Sequence, residues 1–223
     1  MLQPVYQLGP FIIKISLVII ALSMMFSYLV AKYRLKNVSS AKEILESLSN
    51  AFIISIIVWK LSYIIIYPIR TLENPLALLF FNGGSIGTML AILSFIAILF
   101  YYAKKKAIAV AYFIDTALTG VISFFLFFNV FSAIIYAEVR LVHIIGLFVA
   151  LSFILLIIKN SFPLKKVILL EIIIWWSIAQ IVLEYFLNSS LPFIGPFSTQ
   201  QVIYITVSIV ILIILLIKRT SNN

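Results

Sequence analysis

Two ionisable side chains lie inside apolar runs that are long enough to cross a membrane. Lys60 lies in the run that ends near Tyr67, and Glu184 lies in the run that ends near Leu187. A charged group within a membrane helix costs about 2.5–3.5 kcal/mol on insertion scales, so such groups mark binding sites or pair with each other. At 1.5 Å per residue, Lys60 lies about 10 Å from the end of its run, and Glu184 lies at a similar depth. An ion pair between Lys60 and Glu184 would offset part of both costs, and whether the two side chains meet depends on the rotation of each helix, which the pattern does not define.

Three uncharged polar side chains fall at a similar depth in other apolar runs or beside Glu184. They are Asn82, Asn129 and Gln180. With Lys60 and Glu184, they would form a polar cluster that opens towards one membrane face and binds a ligand there. Amide side chains also hydrogen-bond between membrane helices without any ligand, so a purely structural cluster is the alternative.

His143 and Arg140 stand together at the start of a later apolar run. A histidine base needs an orienting partner and a nucleophile within hydrogen-bond reach, and the sequence identifies neither. We therefore expect His143 to be an interfacial residue. The alternative is a catalytic site with His143 as base and Arg140 as cation. Arg140 would otherwise attract anionic headgroups or be a membrane-surface charge.

A glycine-rich segment interrupts the third apolar run. It reads Leu79-Phe80-Phe81-Asn82-Gly83-Gly84-Ser85-Ile86-Gly87. Irregular backbone inside a membrane is tolerated only where protein or a polar cavity surrounds it, and glycines let another backbone or a ligand approach closely. We therefore add two glycines to the predicted ligand-binding set, which becomes Lys60, Asn82, Gly83, Gly84, Asn129, Gln180 and Glu184.

The chain has no cysteine and one histidine. It therefore has no disulfide framework, no thiolate metal ligand and no thiol nucleophile. A single histidine also argues against a metal centre built from histidines. We accordingly expect neither a metal nor a cofactor.

The composition is that of a membrane protein. Hydrophobic residues make up 64% of the 223 residues and charged residues 10%, with a mean hydropathy of +1.23. A soluble domain is closer to half apolar and a quarter charged. A membrane helix needs about 20 apolar residues, which predicts an all-α protein with a single membrane domain over 1–223. Its seven approximate spans are 11–31, 48–67, 77–102, 107–136, 141–158, 167–187 and 199–217.

Lysine and arginine concentrate in alternate loops. The loops after the first, third, fifth and seventh spans carry most of the basic residues, whereas the opposite loops hold only Arg70 and Arg140. The positive-inside rule then places the N-terminus outside and the C-terminus in the cytoplasm. The net charge of +9 is explained by these loops rather than by a nucleic-acid partner. Asp115 and Glu171 lie near the cytoplasmic face, where we expect them to be structural residues within reach of loop lysines.

Several short segments, spread along nearly the whole chain, resemble motifs of prolipoprotein diacylglyceryl transferase. Gln7-Leu-Gly-Pro-Phe11 resembles the Gly-Pro entry to the family's first span, and Trp59-Lys60-Leu-Ser-Tyr63 resembles its Gly-Arg-hydrophobic-x-Tyr pattern. The segment Pro75–Gly87 is similar to the one that carries His-Gly-Gly-x-x-Gly. Gln180–Phe186 resembles an Arg-x-x-x-Glu-Phe-hydrophobic motif, and Ser198-Thr-Gln-Gln201 resembles the Ser-x-Gly-Gln that opens the last span.

This resemblance implies a fold, a location and partners. Members of that bacterial family have seven spans in the cytoplasmic membrane, with the N-terminus outside and the C-terminus in the cytoplasm. They move a diacylglyceryl group from phosphatidylglycerol to the lipobox cysteine of a prolipoprotein. For this chain, the resemblance implies a phosphatidylglycerol-like phospholipid as one partner. A lipoprotein or another membrane protein would be a second.

The chain departs from the family at the residues that would carry the chemistry. Asn82 stands at the motif histidine and Gln180 at the motif arginine, while Glu184 is retained. Phe125–Asn129 replaces the stretch that supplies an essential arginine, and the extracytoplasmic head segment that follows in the family is missing. The reaction needs a base for the thiol and cations for the departing phosphate. The resemblance therefore implies the fold without the catalysis.

Three functions follow from these observations. The first is a non-catalytic relative that binds a phospholipid or a lipid-modified partner in an outward-opening cavity. The second is an active diacylglyceryl transferase with rearranged residues, in which His143 and Arg140 supply base and cation. The third is a small-solute carrier or channel subunit that uses Lys60 and Glu184. Carriers often show internal repeats, and because none is visible here, this function ranks last.

Overall fold

A computed structural model describes residues 5–8, 11–74, 83–187, 192–194 and 196–220 of the chain. Long helices dominate, and a short hairpin precedes the first and the last of them. In chain order the elements are β1 Val5–Leu8, β2 Phe11–Lys14, α1 Ile15–Arg34, α2 Ala41–Ile66, α3 Pro68–Glu73, α4 Gly84–Lys105, α5 Val110–Ile135, α6 Arg140–Lys159, α7 Lys166–Leu187, β3 Pro192–Ile194, β4 Phe197–Ser198 and α8 Thr199–Thr220.

Among the described residues, six helices are long and apolar enough to cross a membrane. They are α1, α2, α4, α5, α6 and α7. The prediction of a multi-pass helical membrane protein is therefore confirmed. In α8, the described apolar part is the shorter segment Thr199–Leu215, so the seventh span stays a prediction, as does the direction of insertion.

The helix limits depart from the predicted spans in the first half of the chain. α1 begins at Ile15 because the preceding residues form a hairpin, and α2 begins at Ala41 as one continuous helix. α4 begins at Gly84, since Gly83 and Gly84 have φ angles of +58° and +60°, outside the right-handed helical region. Residues 75–82, which carry the earlier part of the predicted third span, lie outside the described residues.

The chain divides into two compact units. The first unit comprises residues 1–36 and 115–223, and the second comprises residues 37–114. The single membrane domain expected over 1–223 stays a prediction.

In the second unit, α2 and α4 pack through small residues. The hydroxyl of Ser94 on α4 donates to the hydroxyl of Ser55 on α2 at 3.3 Å. A Cβ added to Gly87 would lie 2.5 Å from Ser62 Oγ and 3.2 Å from the Trp59 carbonyl oxygen. Small residues at such contacts let two membrane helices approach closely, so Gly87 is a packing residue of this helix pair.

In the first unit, a buried ion pair joins three parts of the chain at one end. Asp115 is fully buried on α5 and accepts from Arg34 Nη2 at 3.3 Å and from the Leu164 N–H at 2.7 Å. Arg34 also donates to the carbonyl oxygens of Asn160 at 3.1 Å and Ser161 at 3.3 Å. We call this the Arg34–Asp115 clamp. Its cation is Arg34 and not the lysine that we expected, because a guanidinium offers several N–H donors to several acceptors at once.

Two antiparallel hairpins were not predicted. β1 pairs with β2, with Tyr6 opposite Ile13, and β3 pairs with β4, with Ile194 opposite Phe197. Strands of four residues or fewer are too short to show a period-2 pattern in a sequence. The connection between α5 and α6 is short and consists of residues 136–139.

Candidate functional site

The first unit contains a cavity of ≈ 680 Å³ with an aromatic wall and a polar side. This volume is in the range typical of pockets for small ligands, roughly 300–1,000 Å³. Its polar and hydroxyl-bearing lining residues are Asn129, Tyr136, His143, Gln180, Glu184, Gln200 and Tyr204. Its apolar lining residues are Ile20, Phe124, Phe125, Phe128, Val139, Val142, Leu183 and Leu187.

The polar side of the cavity is built from four consecutive helices. Asn129 lies near the end of α5, His143 near the start of α6, Glu184 near the end of α7 and Tyr204 near the start of α8. Each of these residues lies near a helix end that adjoins one of the two connections between neighbouring helices, so they gather at one end of the unit. The predicted topology assigns this end to the outer face of the membrane.

His143 is buried and oriented by Asn129. Its side chain is 5% exposed, and its Nδ1 lies 2.9 Å from Asn129 Oδ1. Asn129 Nδ2 donates to the Phe125 carbonyl at 2.8 Å, which leaves its amide oxygen to accept. Nδ1 of His143 therefore donates, and in the neutral ring Nε2 is left as an acceptor. The interfacial histidine that we expected is instead a buried side chain with a fixed partner.

A glycine on α6 makes room for this pair. A Cβ added to Gly146 would lie 2.8 Å from Asn129 Oδ1 and 2.9 Å from both Asn129 Cγ and Nδ2. Contacts below 3.0 Å force one of the groups to move. Gly146 is therefore required for the position of the Asn129 amide.

Gln180 carries a hydrogen-bond donor without a partner among the described residues. Its side chain is 7% exposed, and its Nε2 makes no hydrogen bond to any of them. A buried polar group without a partner costs about 1–3 kcal/mol. Because Gln180 lines the cavity, an acceptor atom of a bound ligand would remove this cost.

Glu184 and Tyr204 extend the polar side from two helices. Glu184 follows Gln180 by four residues on α7, so the two side chains lie on the same helix face. Tyr204 is held by the start of α8, where Ser198 and Gln201 form a reciprocal capping pair. The Ser198 N–H donates to Gln201 Oε1 at 3.0 Å, and the Gln201 N–H donates to Ser198 Oγ at 3.2 Å. This is the capping-box arrangement.

The capping pair also connects the last two helices of the unit. Gln201 Nε2 donates to the Ile181 carbonyl on α7 at 3.3 Å. The motif that opens the last predicted span therefore has a local structural role, since it begins α8 and fixes it against α7.

Arg140 does not line the cavity. Its side chain is exposed, and its Nε donates to the Ala133 carbonyl at the end of α5 at 3.0 Å. The structure thus brings His143 to the cavity without the cation that the transferase hypothesis paired with it.

The remaining predicted site residues belong to the second unit. Lys60 is half-buried on α2, and its ion pair with Glu184 stays a prediction. Gly83 is buried where an added Cβ would meet the Trp59 ring, whereas nothing lies within 4 Å of a Cβ added to Gly84. Asn82 lies outside the described residues. Gly83 thus accommodates an indole ring of its own unit.

No protein-family model and no curated protein sequence matches the chain. Within the described parts of the chain, no group of three or more His, Asp or Glu side chains could hold a metal ion.

Sequence reasoning missed Tyr136, Gln200 and Tyr204 as cavity residues. Gln200 and Tyr204 are four residues apart in the last apolar run, which puts them on one helix face. That spacing could have been used to predict that Gln200 and Tyr204 contribute to the same site. Tyr136 follows the last residue of α5, and nothing in its local sequence distinguishes it from an interfacial tyrosine.

Proposed function

We propose that this membrane protein binds a phospholipid, or the lipid of a lipid-modified partner, in the cavity of its first unit without catalysing transfer. We further propose that it is a divergent, non-catalytic relative of the prolipoprotein diacylglyceryl transferases in the bacterial cytoplasmic membrane. The observation that carries the proposal is Gln180, which lines the cavity and whose buried Nε2 has no hydrogen-bond partner within the described parts of the chain.

The shape and lining of the cavity suit an amphiphile. Eight apolar side chains, three of them phenylalanines, line the cavity beside the polar side chains. Burying acyl chain against such a wall is favourable by about 25 cal/mol per Å². The polar side would hold the headgroup, with Gln180 Nε2 donating to one of its oxygens.

The same lining argues against transfer chemistry. Among the described residues that line the cavity there is no lysine or arginine. Displacing a phosphate leaving group needs positive charge where the negative charge develops. The cavity supplies a base but no such charge, so binding is favoured over catalysis.

Bound phospholipid is the direct test. The protein would be purified from host membranes, and the phospholipid per polypeptide would be measured by mass spectrometry. Gln180→Leu removes the donor at nearly constant volume, and we expect it to reduce bound phospholipid about tenfold, as for one hydrogen bond to a charged group. Thr206→Val is the matched control, because Thr206 is exposed on α8 and bonds only to the Val202 carbonyl of its own helix. Equal phospholipid on the wild type and Gln180→Leu would contradict the proposal.

The second candidate function is an active diacylglyceryl transferase, and the Asn129–His143 hydrogen bond favours it. A His oriented by Asn through Nδ1 has Nε2 free to act as a base. His143 would take the thiol proton, the sulfur would bond to the glyceryl carbon, and the carbon–oxygen bond to the phosphate would break, releasing glycerol phosphate.

A transfer assay separates the two candidates. Purified protein would be mixed with labelled phosphatidylglycerol and a lipobox-cysteine peptide, with an authentic transferase as the positive control. We expect no label on the peptide. Label that appears with the wild type and is lost in His143→Ala would establish the second candidate and end the non-catalytic proposal.

A further inference from the structure

The first unit also has a groove between α6 and α7, with a volume of ≈ 580 Å³. Among the described residues, none lines both this groove and the cavity that contains His143 and Gln180. The described lining of the groove is hydrophobic except for Ser152 on α6 and Glu171 on α7. The groove is therefore a separate apolar surface that contains one carboxylate.

Glu171 places this carboxylate inside a helix that is long and apolar enough to cross a membrane. Because α7 begins at Lys166, Glu171 lies about 7.5 Å along the helix from its start, at 1.5 Å per residue. Its side chain is exposed, and it forms no ion pair or hydrogen bond with any other described residue. Ionisable side chains in membrane helices almost always face the interior of the bundle and pair with another group. Glu171 does neither within the described chain.

Basic residues at the nearby helix ends do not pair with this carboxylate. Lys159 ends α6, Lys165 precedes α7 and Lys166 begins it, and all three are exposed. In the parts of the chain that the structure describes, none of them forms an ion pair with Glu171. Successive residues of an α-helix are about 100° apart around its axis, so Lys166, five positions earlier, lies about 140° from Glu171. A cation for this carboxylate would therefore come from outside the described chain.

The walls of the groove suit a second membrane helix. Ser152 and Ala179 are small residues in its lining, and small residues let two membrane helices approach closely. The hydroxyl of Ser152 donates to the Val149 carbonyl of its own helix, so it needs no partner from outside. Trp175 and Ile178 add large exposed apolar side chains to the same groove. An incoming apolar helix would pack against these side chains.

A second copy of this chain offers no cation at the level of Glu171. In the six described helices that could cross a membrane, every basic residue except Lys60 lies within the first or last three positions of its helix. Lys60 lies seven positions from the end of α2, and the predicted topology places it towards the opposite face of the membrane from Glu171. A partner with a different sequence therefore fits the groove better than a copy of the chain.

We propose that the groove between α6 and α7 docks a membrane helix of a partner protein that carries a lysine or arginine at the level of Glu171. The cation of the partner pairs with the Glu171 carboxylate, and its apolar face packs against the groove. This inference does not rest on phospholipid binding, because the groove and the cavity are lined by different residues.

Synthetic membrane helices of defined sequence test the proposal. The protein would carry one fluorophore on Ser161→Cys, an exposed position between α6 and α7, and would be reconstituted in phosphatidylcholine vesicles. A labelled leucine-alanine helix with one lysine at its sixth position would be added, and energy transfer would measure its binding. We expect this helix to bind about tenfold more tightly than the same helix with glutamine at that position, as for one charge-assisted interaction.

Charge exchange separates a docking role for Glu171 from a structural one. Glu171→Gln should remove the preference for the lysine helix, and Glu171→Lys should transfer it to the same helix with glutamate in place of lysine. Glu46→Gln removes an exposed carboxylate of the second unit and should leave the preference unchanged. Equal binding of the lysine and glutamine helices by the wild type would overturn the proposal. Energy transfer between two labelled populations of the wild type that is lost in Glu171→Lys would instead assign the groove to a second copy of the chain.

Discussion

The hydrogen bond between Asn129 and His143 fixes the tautomer of the one histidine in the chain. Asn129 Nδ2 is committed to the Phe125 carbonyl, so its oxygen accepts from His143 Nδ1. We expect ¹⁵N NMR of histidine-labelled protein to show a protonated Nδ1 and an unprotonated Nε2 in the neutral ring. The single histidine makes the assignment unambiguous. A protonated Nε2 with an unprotonated Nδ1 would contradict the geometry.

Gly146 tests how tightly this pair is held. In Gly146→Ala the new Cβ would lie 2.8 Å from Asn129 Oδ1, so we expect a loss of stability of about 1–3 kcal/mol from overpacking. The change should also reduce bound phospholipid, because Asn129 and His143 must move. Thermal unfolding in detergent would measure the loss of stability, and mass spectrometry of the purified protein would measure the loss of bound phospholipid.

Gly120→Ala is the matched control for this substitution. Its Cβ would meet only Ser27 Oγ, at 3.7 Å, an ordinary contact. Alanine is favoured over glycine within a helix by about 1 kcal/mol, so Gly120→Ala should be neutral or slightly stabilising. Two alanine variants of equal stability would show that Asn129 is not confined as described.

The sequence showed which polar residues were candidates for the site, but it did not show which of their side chains lie together. Asn129, Gln180 and Glu184 were recognisable as polar residues in apolar runs, and they line one cavity. The place of His143 was not recognisable, since its partner lies 14 residues away on another helix. Which side chains meet depends on the rotation of each helix about its axis. An apolar run that is hydrophobic on all sides does not define that rotation.

At the scale of whole elements, the Arg34–Asp115 clamp is a buried ion pair between α1 and α5. The side chains are 8% and 0% exposed. Asp115→Ala leaves the buried Arg34 without its carboxylate, which typically costs about 3–5 kcal/mol. The double variant Arg34→Met with Asp115→Leu should be more stable than either single variant, because it leaves no buried charge. Chemical unfolding in detergent would measure the free energy of unfolding of the wild type, the single variants and the double variant.

An exposed ion pair in the second unit provides the comparison. Lys106 and Glu46 lie 3.9 Å apart with side chains 22% and 62% exposed. Such pairs contribute at most about 1 kcal/mol, so Glu46→Gln should have little effect. If Asp115→Ala cost no more than Glu46→Gln, the clamp would not stabilise the fold as argued.

Helices could be predicted from the sequence where an apolar run was long enough to cross a membrane. Runs of about 20 apolar residues define membrane helices, and six of the predicted spans correspond to helices that are long and apolar enough. The hairpins at 5–14 and 192–198 are held by backbone pairing between short strands. Such pairing is set by contacts across a turn, which single-residue preferences do not encode.

For the molecule as a whole, the charges of the loops predict the direction of insertion. Alternating lysine-rich loops put the N-terminus outside, and α6 then runs from the outer face to the cytoplasm. Glu138 and Ser161 lie just beyond opposite ends of α6, and both are exposed. The chain has no cysteine, so a single cysteine at either position can be labelled selectively.

Cysteine labelling in intact cells would determine the direction in which the chain inserts into the membrane. A membrane-impermeant maleimide should label Glu138→Cys directly and Ser161→Cys only after the membrane is permeabilised. The reverse pattern would invert the topology and place the cavity at the cytoplasmic face.

The most direct measurement of the central claim is photocrosslinking with a phospholipid that carries a diazirine next to its headgroup. After irradiation, peptide mapping would locate the attached lipid. We predict labelling of the segments around Phe125–Asn129, Gln180–Glu184 and Gln200–Tyr204, which line the cavity, and its loss in Gln180→Leu. Labelling confined to exposed apolar positions such as Phe148 and Leu155, and unchanged in Gln180→Leu, would contradict the claim that the cavity holds a phospholipid.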